Sequence, residues 1–159
     1  MPSAPSSHTQ AGERLSVGGD EVAFRVTSDA TAGALLAIEV TMPSGGGPPA
    51  LHRHDPEEIY HLARGELTIY LEDDQGEIRR IGATPGMTVH IPGGRAHTIR
   101  NESDAEAQAF VVFAPGTQME RFVRAAARLA ATAPPRIEDV LALAERHGIT
   151  MTGPLNAAA

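Results

Sequence analysis

The sequence predicts an all-β fold, an antiparallel double sheet closed into a barrel, with two α-helices added at its C-terminal end. Three observations carry this. Short apolar runs recur at about ten-residue spacing from Glu21 to Phe113, with turn residues between them. No segment of helical period interrupts that region. After Pro115 the apolar period changes from two to about 3.6.

The elements follow in order. Residues 1–12, rich in Ser, Pro, Ala and Thr without periodicity, read as a flexible tail. Glu21–Thr27 alternates, with Val22, Phe24 and Val26 on one face. Ala34–Met42 is a longer apolar strand that runs into Ser-Gly-Gly-Gly-Pro-Pro (44–49), a breaker of any regular element. Seven further strands are read at Ala50–His54, Glu57–Ala63, Glu66–Glu72, Glu77–Ile81, Met87–Ile91, His97–Asn101 and Glu106–Phe113. About nine short strands with Gly/Pro turns fit a closed double sheet that hides its edges.

Thr117-x-x-Glu120 has the pattern of a capping box, and Met119, Phe122, Val123, Ala126 and Ala130 then form one helical stripe. Pro134-Pro135 ends that helix. A second helix is expected over Ile137–His147, with Ile137, Val140, Leu141 and Ala144 on its apolar face and Gly148 as its stop. The division is therefore a barrel domain at 13–115, a helical extension at 116–149 packed on the barrel, and a tail at 150–159.

Composition narrows the chemistry. The 159 residues include no cysteine and no lysine, and the formal net charge is −7. Thiol nucleophiles, disulfides, thiolate ligands and Schiff bases are excluded. No basic run points to nucleic acid. No apolar run spans a bilayer and no signal segment is seen, so the default location is cytoplasmic. No G-x-S-x-G elbow occurs. Reactivity falls on His, Glu, Asp, Tyr and a bound ion.

Two spaced clusters supply those groups. Gly46, His52, His54, Glu58 and Gly65 form G-x5-H-x-H-x3-E-x6-G; Gly86, Pro92, Gly94, His97 and Asn101 form G-x5-P-x-G-x2-H-x3-N. His52 and His54, two apart on a strand, share a face, while Arg53 points away. Asp55-Pro56 breaks the strand and lets Glu58 return to that face, with Tyr60 and Leu62 beside it and His61 opposite. His97 arrives from a separate strand with Ile99 at its parity, leaving Thr98 and Arg100 on the solvent side. By the same parity His90 points outward, and His8 and His147 sit in or near tails.

Three imidazoles and one carboxylate suit one divalent transition metal, Fe, Mn, Ni, Co or Zn. In an octahedral shell they leave two positions open. Tyr60 is a candidate proton donor beside Glu58, which is both ligand and base. The Gly45–Gly47 run is read as a turn, because no helix or Lys-Ser/Thr follows it. Arg64 and Arg95 are read as surface ion pairs.

The stretches GGPPALHRHDPEEIYHLARG (46–65) and GMTVHIPGGRAHTIRN (86–101) resemble the two signature motifs of the cupin superfamily, with every signature position filled. The 20 residues between them are few, as in compact bacterial single-domain cupins. The resemblance covers about residues 15–115. It implies a double-stranded β-helix, the jelly-roll barrel, with a metal held by His52, His54, Glu58 and His97. With its helical tail the chain is similar to small bacterial cupins grouped with quercetinase-like dioxygenases.

The expected function is a non-haem dioxygenase acting on a small enol, phenol or carboxylate, with O2 as co-substrate. Leu36, Ile38, Met42, Leu67, Ile69, Met87, Val89 and Ile91 would supply its apolar interior. The alternatives are a non-redox cyclase, isomerase or decarboxylase, and a non-catalytic small-molecule-binding cupin. Exposed strands and two amphipathic helices suggest a homodimer.

Overall fold

The computed structural model describes residues 12–155. Eleven strands, two α-helices and a short 3-10 turn at Asp29–Thr31 occur among them. One sheet has the order β1 (Arg14–Val17), β2 (Asp20–Val26), β3 (Leu36–Met42), β10 (Ala107–Ala114), β5 (Glu57–Arg64) and β8 (Thr88–Ile91). The other runs β11 (Thr150–Pro154), β4 (Ala50–Arg53), β9 (His97–Arg100), β6 (Leu67–Glu72) and β7 (Ile78–Ala83). Neighbouring strands pair antiparallel throughout. The jelly-roll barrel expected from the sequence is present, with helices α1 (Thr117–Ala130) and α2 (Ile137–Arg146) after it.

Strand alternation builds the interior. In β10, Ala107, Ala109, Val111 and Phe113 are buried while their neighbours are not. Val111 lies opposite Ile38 on one side and Tyr60 on the other, so one row crosses three strands. Leu36, Leu62, Ile69, Ile91, Ile99 and Val111 are almost wholly enclosed. Each such side chain contributes about 1.5–3 kcal/mol by leaving water.

Several details differ from the sequence reading. The stretch 150–159 is not a tail from its start, because β11 pairs with β4 and supplies an edge partner for that strand's backbone. Gly148, at φ 72°, turns the chain back from α2. The remainder of the expected tails, 1–11 and 156–159, lies outside the described residues.

The capping box at Thr117 does not form. Gly116 is the N-cap, and the Glu120 carboxylate instead accepts from the Ser28 backbone N–H at 2.6 Å and pairs with Arg124. Tertiary partners thus outcompete a local cap.

Helix α1 places Met119 and Val123 in the core cluster, as its stripe suggested. Helix α2 is rotated from the expected face. Ile137 and Leu141 are exposed, and Leu143 and Ala144 are buried, since α2 packs against α1 and β11.

Thr98, expected in solvent, is fully buried because the β3–β4 loop lies over it, and its hydroxyl donates to Pro48 O at 2.7 Å. Arg100 donates to the Gly45 and Gly47 carbonyls of the same loop. Met87, expected inside, is exposed: it closes the Thr84–Met87 turn before β8 begins. No helix among the described residues is long and apolar enough to cross a membrane.

Candidate metal centre

Strand pairing brings the two clusters of the sequence together. His52 on β4 is registered directly with His97 on β9. His54 follows just past the end of β4, and Glu58 faces them from β5 in the opposite sheet. The His52 and His97 ring centroids are 4.6 Å apart, and those of His54 and His97 4.9 Å. Phe113 stacks edge-on against His54 at 6.0 Å. His54, Glu58 and His97 are buried at 3%, 2% and 1% exposure, and His52 is only partly buried.

Each imidazole is held in the same way. Nδ1 of His52 faces Ala50 O at 3.1 Å, that of His54 faces Pro56 O at 3.1 Å, and that of His97 faces Arg95 O at 2.9 Å. A carbonyl only accepts, so each ring carries its proton on Nδ1 and turns the Nε2 lone pair inward. The three imidazoles each offer a ligand nitrogen within 4.8 Å of the others.

Glu58 Oε2 lies 3.1 Å from His54 Nε2 and 3.0 Å from His97 Nε2. His97 Nε2 is nonetheless a buried atom without a hydrogen-bond partner, since with the proton on Nδ1 it has only a lone pair to turn toward the carboxylate. Lone pairs and a carboxylate gathered at this range repel unless a cation lies among them. Bonds of about 2.1 Å at right angles would set ligand atoms roughly 3 Å apart, which matches the two measured edges. The donor set therefore fits a metal ion, and the three histidines could hold one.

Without an ion, protons must fill that role. Burial alone would raise the Glu58 carboxyl, but the His54 and His97 imidazoles outweigh it and hold it at about 2. Burial pulls His97 down, yet the Glu58 carboxylate raises it overall. His52 is lowered to about 4 by burial and by the neighbouring His97. Burial, then the Glu58 charge, pushes the Tyr60 hydroxyl well above its ordinary range, so it stays protonated beside Glu58.

Other residues take the places their parity gave them. His61 and His90 are on the exterior, bonded to Thr88 and Glu57. Arg64 pairs with Glu106 and Arg95 with Asp74 at the surface. Gly47 turns at φ 97°, and a Cβ there would meet Ile99 O at 2.1 Å, so only glycine fits. Asn101 is a staple for the adjoining loops: its amide nitrogen donates to Met42 O and Ala105 O, and its oxygen accepts from Ser103.

The sequence reading missed two groups near this region. Asp20 accepts from the Gly47 N–H at 3.3 Å and is raised to about 6, chiefly by burial. Met151 lies opposite His52 across β11 and β4. Neither has a local sequence signal, because pairing with distant strands creates its environment. A surface groove of about 950 Å³ between β1 and α1 is lined mainly by small residues and arginines, and the histidines are not among its lining.

Residues 38–113 match the cupin domain family. Auxin-binding protein 1 of Arabidopsis thaliana is 28% identical over 71 residues, which is 42% of this chain and 36% of that protein. Oxalate decarboxylase from Bacillus subtilis superposes with a TM-score of 0.58 at 18% identity, covering 73% of this chain and 32% of that one. A protein from Thermotoga maritima, titled a predicted oxalate decarboxylase, superposes with a TM-score of 0.55 at 22% identity, covering 66% and 93%. The chain thus spans about a third of the first two proteins' length. The cupin domain match covers residues 38–113 of the barrel, and these solved structures share its fold.

Proposed function

We propose that this chain is a metal-dependent enzyme in which His52, His54, His97 and Glu58 hold one divalent transition ion, and a small enol, phenol or carboxylate binds there inside the barrel. The observation that carries the reading is the set of three imidazoles locked through Nδ1, which gather a ligand nitrogen each, with the Nε2 atoms of His54 and His97 beside the Glu58 carboxylate. Such an ion supplies Lewis acidity and, where redox-active, a path to O2.

The chain's own residues do the remaining work. Leu36, Ile91, Val111 and Phe113 keep the interior dry, which strengthens every charge interaction within it. Glu58 stays ionised and accepts the substrate's acidic proton. A carboxylate held at about 2 is a weak base, so that proton must come from a substrate acidified by its binding. Tyr60, kept protonated, donates a hydrogen bond from the same strand.

The reaction class we favour is dioxygenation. A non-redox decarboxylase, cyclase or isomerase is the second reading, supported by the oxalate decarboxylases that share the fold, one of them named for its Mn(II) centres. Both use the same residues.

The test joins metal analysis with turnover of enol, phenol and carboxylate substrates in air and under strict anaerobiosis. About one ion per wild-type chain is expected, with less than about a tenth of that in His52→Ala and His97→Ala. Unchanged metal content in those variants would overturn the ligand set. Full anaerobic turnover would remove the dioxygenase reading and leave the second. A loaded chain that binds these molecules and converts none would be a binding protein.

A further inference from the structure

The ligand cluster is not equally shielded on all sides. His54, Glu58 and His97 are at most 3% exposed, and His52 alone is partly open. His52 is thus the least enclosed of the four residues. The neighbours there follow from strand register. One row across the second sheet reads Met151, His52, His97 and Leu71, from β11 through β4 and β9 to β6.

Directly opposed residues project to the same face with Cβ atoms about 5 Å apart. Met151 and Leu71 thus flank the two imidazoles, and both are partly buried side chains packed against the core. Leu71 sits inside the sheet. Met151 sits on β11, an edge strand that ends the sheet and is reached only after the two helices. The register shifts immediately after Met151, leaving Thr152 exposed as the extra residue. Bulges of this kind re-aim a side chain beside a site.

We propose that incoming molecules approach past His52 and that Met151 is a specificity-determining residue of the metal centre: from the C-terminal strand, it forms the apolar wall on the His52 side and limits the size of the group that reaches the ion. The proposal rests on the metal reading above. The wall is an uncharged thioether that restricts the site by its bulk and offers no charge to a polar group. The helical extension then has a role in the site, since α1 and α2 carry the chain to the place where β11 pairs with β4.

The test uses the whole chain loaded with Co(II), whose absorption spectrum reports ligands entering its coordination shell. Azide is the small probe and benzoate the bulky one. Met151→Ala is expected to tighten benzoate by about fivefold or more while azide changes by less than about twofold. Met151→Leu, similar in volume, should leave both near wild type. Equal benzoate affinity in wild type and Met151→Ala, with cobalt bound normally, overturns this proposal alone. Failure of the wild-type chain to take up cobalt overturns the metal reading and this proposal with it. A parallel weakening of both probes and of cobalt itself in Met151→Ala would show that Met151 only supports β4, and would also reject the specificity role.

Discussion

Glu57 and Glu58 are adjacent on β5, and both carboxylates touch histidine, yet the two contacts are physically unlike. Glu57 meets His90 at 2.5 Å on the exterior, where both side chains are more than half exposed. Water competes there, and such a pair stabilises little. Glu58 meets His54 and His97 at 3.1 and 3.0 Å where none of the three is more than 3% exposed. One residue of strand parity separates an ordinary surface pair from an enclosed cluster that could hold a cation. The types of side chain are the same; their solvent and the orientation of the rings differ. On the outer face His61 and His90 are bonded to side chains. On the inner face all three imidazoles are anchored to backbone carbonyls, which leaves Nε2 for a ligand bond.

The sharpest way to break the comparison is to remove one charge from each face. Glu58→Gln should weaken metal affinity by about a hundredfold, and Glu57→Gln should leave it unchanged. Competition against a coloured chelator measures both. Equal effects, or none from Glu58→Gln, would erase the distinction.

Acid should act on the inner face next. His97 is raised above the ordinary histidine value, since the Glu58 carboxylate outweighs its burial, whereas His52 is lowered to about 4. Protons therefore compete with the metal first at His97. Affinity should fall about tenfold per pH unit as pH drops through and below the histidine range. Metal occupancy that stays constant down to about pH 4.5 would contradict this.

Burial acts differently on Asp20, a carboxyl partnered by Gly47 and Arg100 rather than by imidazoles. Asp20 is raised to about 6, with burial outweighing Gly47 and Arg100, so its shift is opposite to that of Glu58. A raised folded-state value contributes stability that is present below about pH 4 and lost as pH rises through about 6. At pH 7.5 the ionised group is a liability. Asp20→Asn should stabilise the chain there by about 1 kcal/mol after discounting for solvent, and the gain should vanish near pH 4. Urea unfolding at the two pH values decides it.

The smallest effects belong to the outer histidines. His61→Ala and His90→Ala should shift the melting temperature by less than about 2 °C and leave metal content alone. A loss of metal in either would show that the two faces are not separate.

Much of this molecule is legible in its sequence. Alternation located nine strands to within a residue or two. Parity pointed His52 and Glu58 into the barrel, each from its own sheet, and His61 and His90 outward, because residue parity sets which way a strand side chain points. Parity failed where the environment was not local. Thr98 occupies the expected outer face yet is buried, because a loop 50 residues earlier covers it. Met87 is in phase with Val89 yet exposed, because it belongs to a turn. Glu120 spells a capping box yet serves Ser28, a partner 92 residues away. The exposed Ile137 and Leu141 show that a helix's apolar stripe identifies a face without stating which neighbour takes it.

By itself, the sequence determined which chemical groups are on offer, since the absence of Cys and Lys and the spacing of three His and one Glu are properties of the chain alone. Tertiary structure decided which nitrogen of each ring faces inward, because the anchoring carbonyls depend on how each loop folds. It also decided that β11 returns to β4 and sets Met151 against His52. Strand pairing across a hundred residues depends on which edge is left unpaired, and no local pattern in the sequence records that.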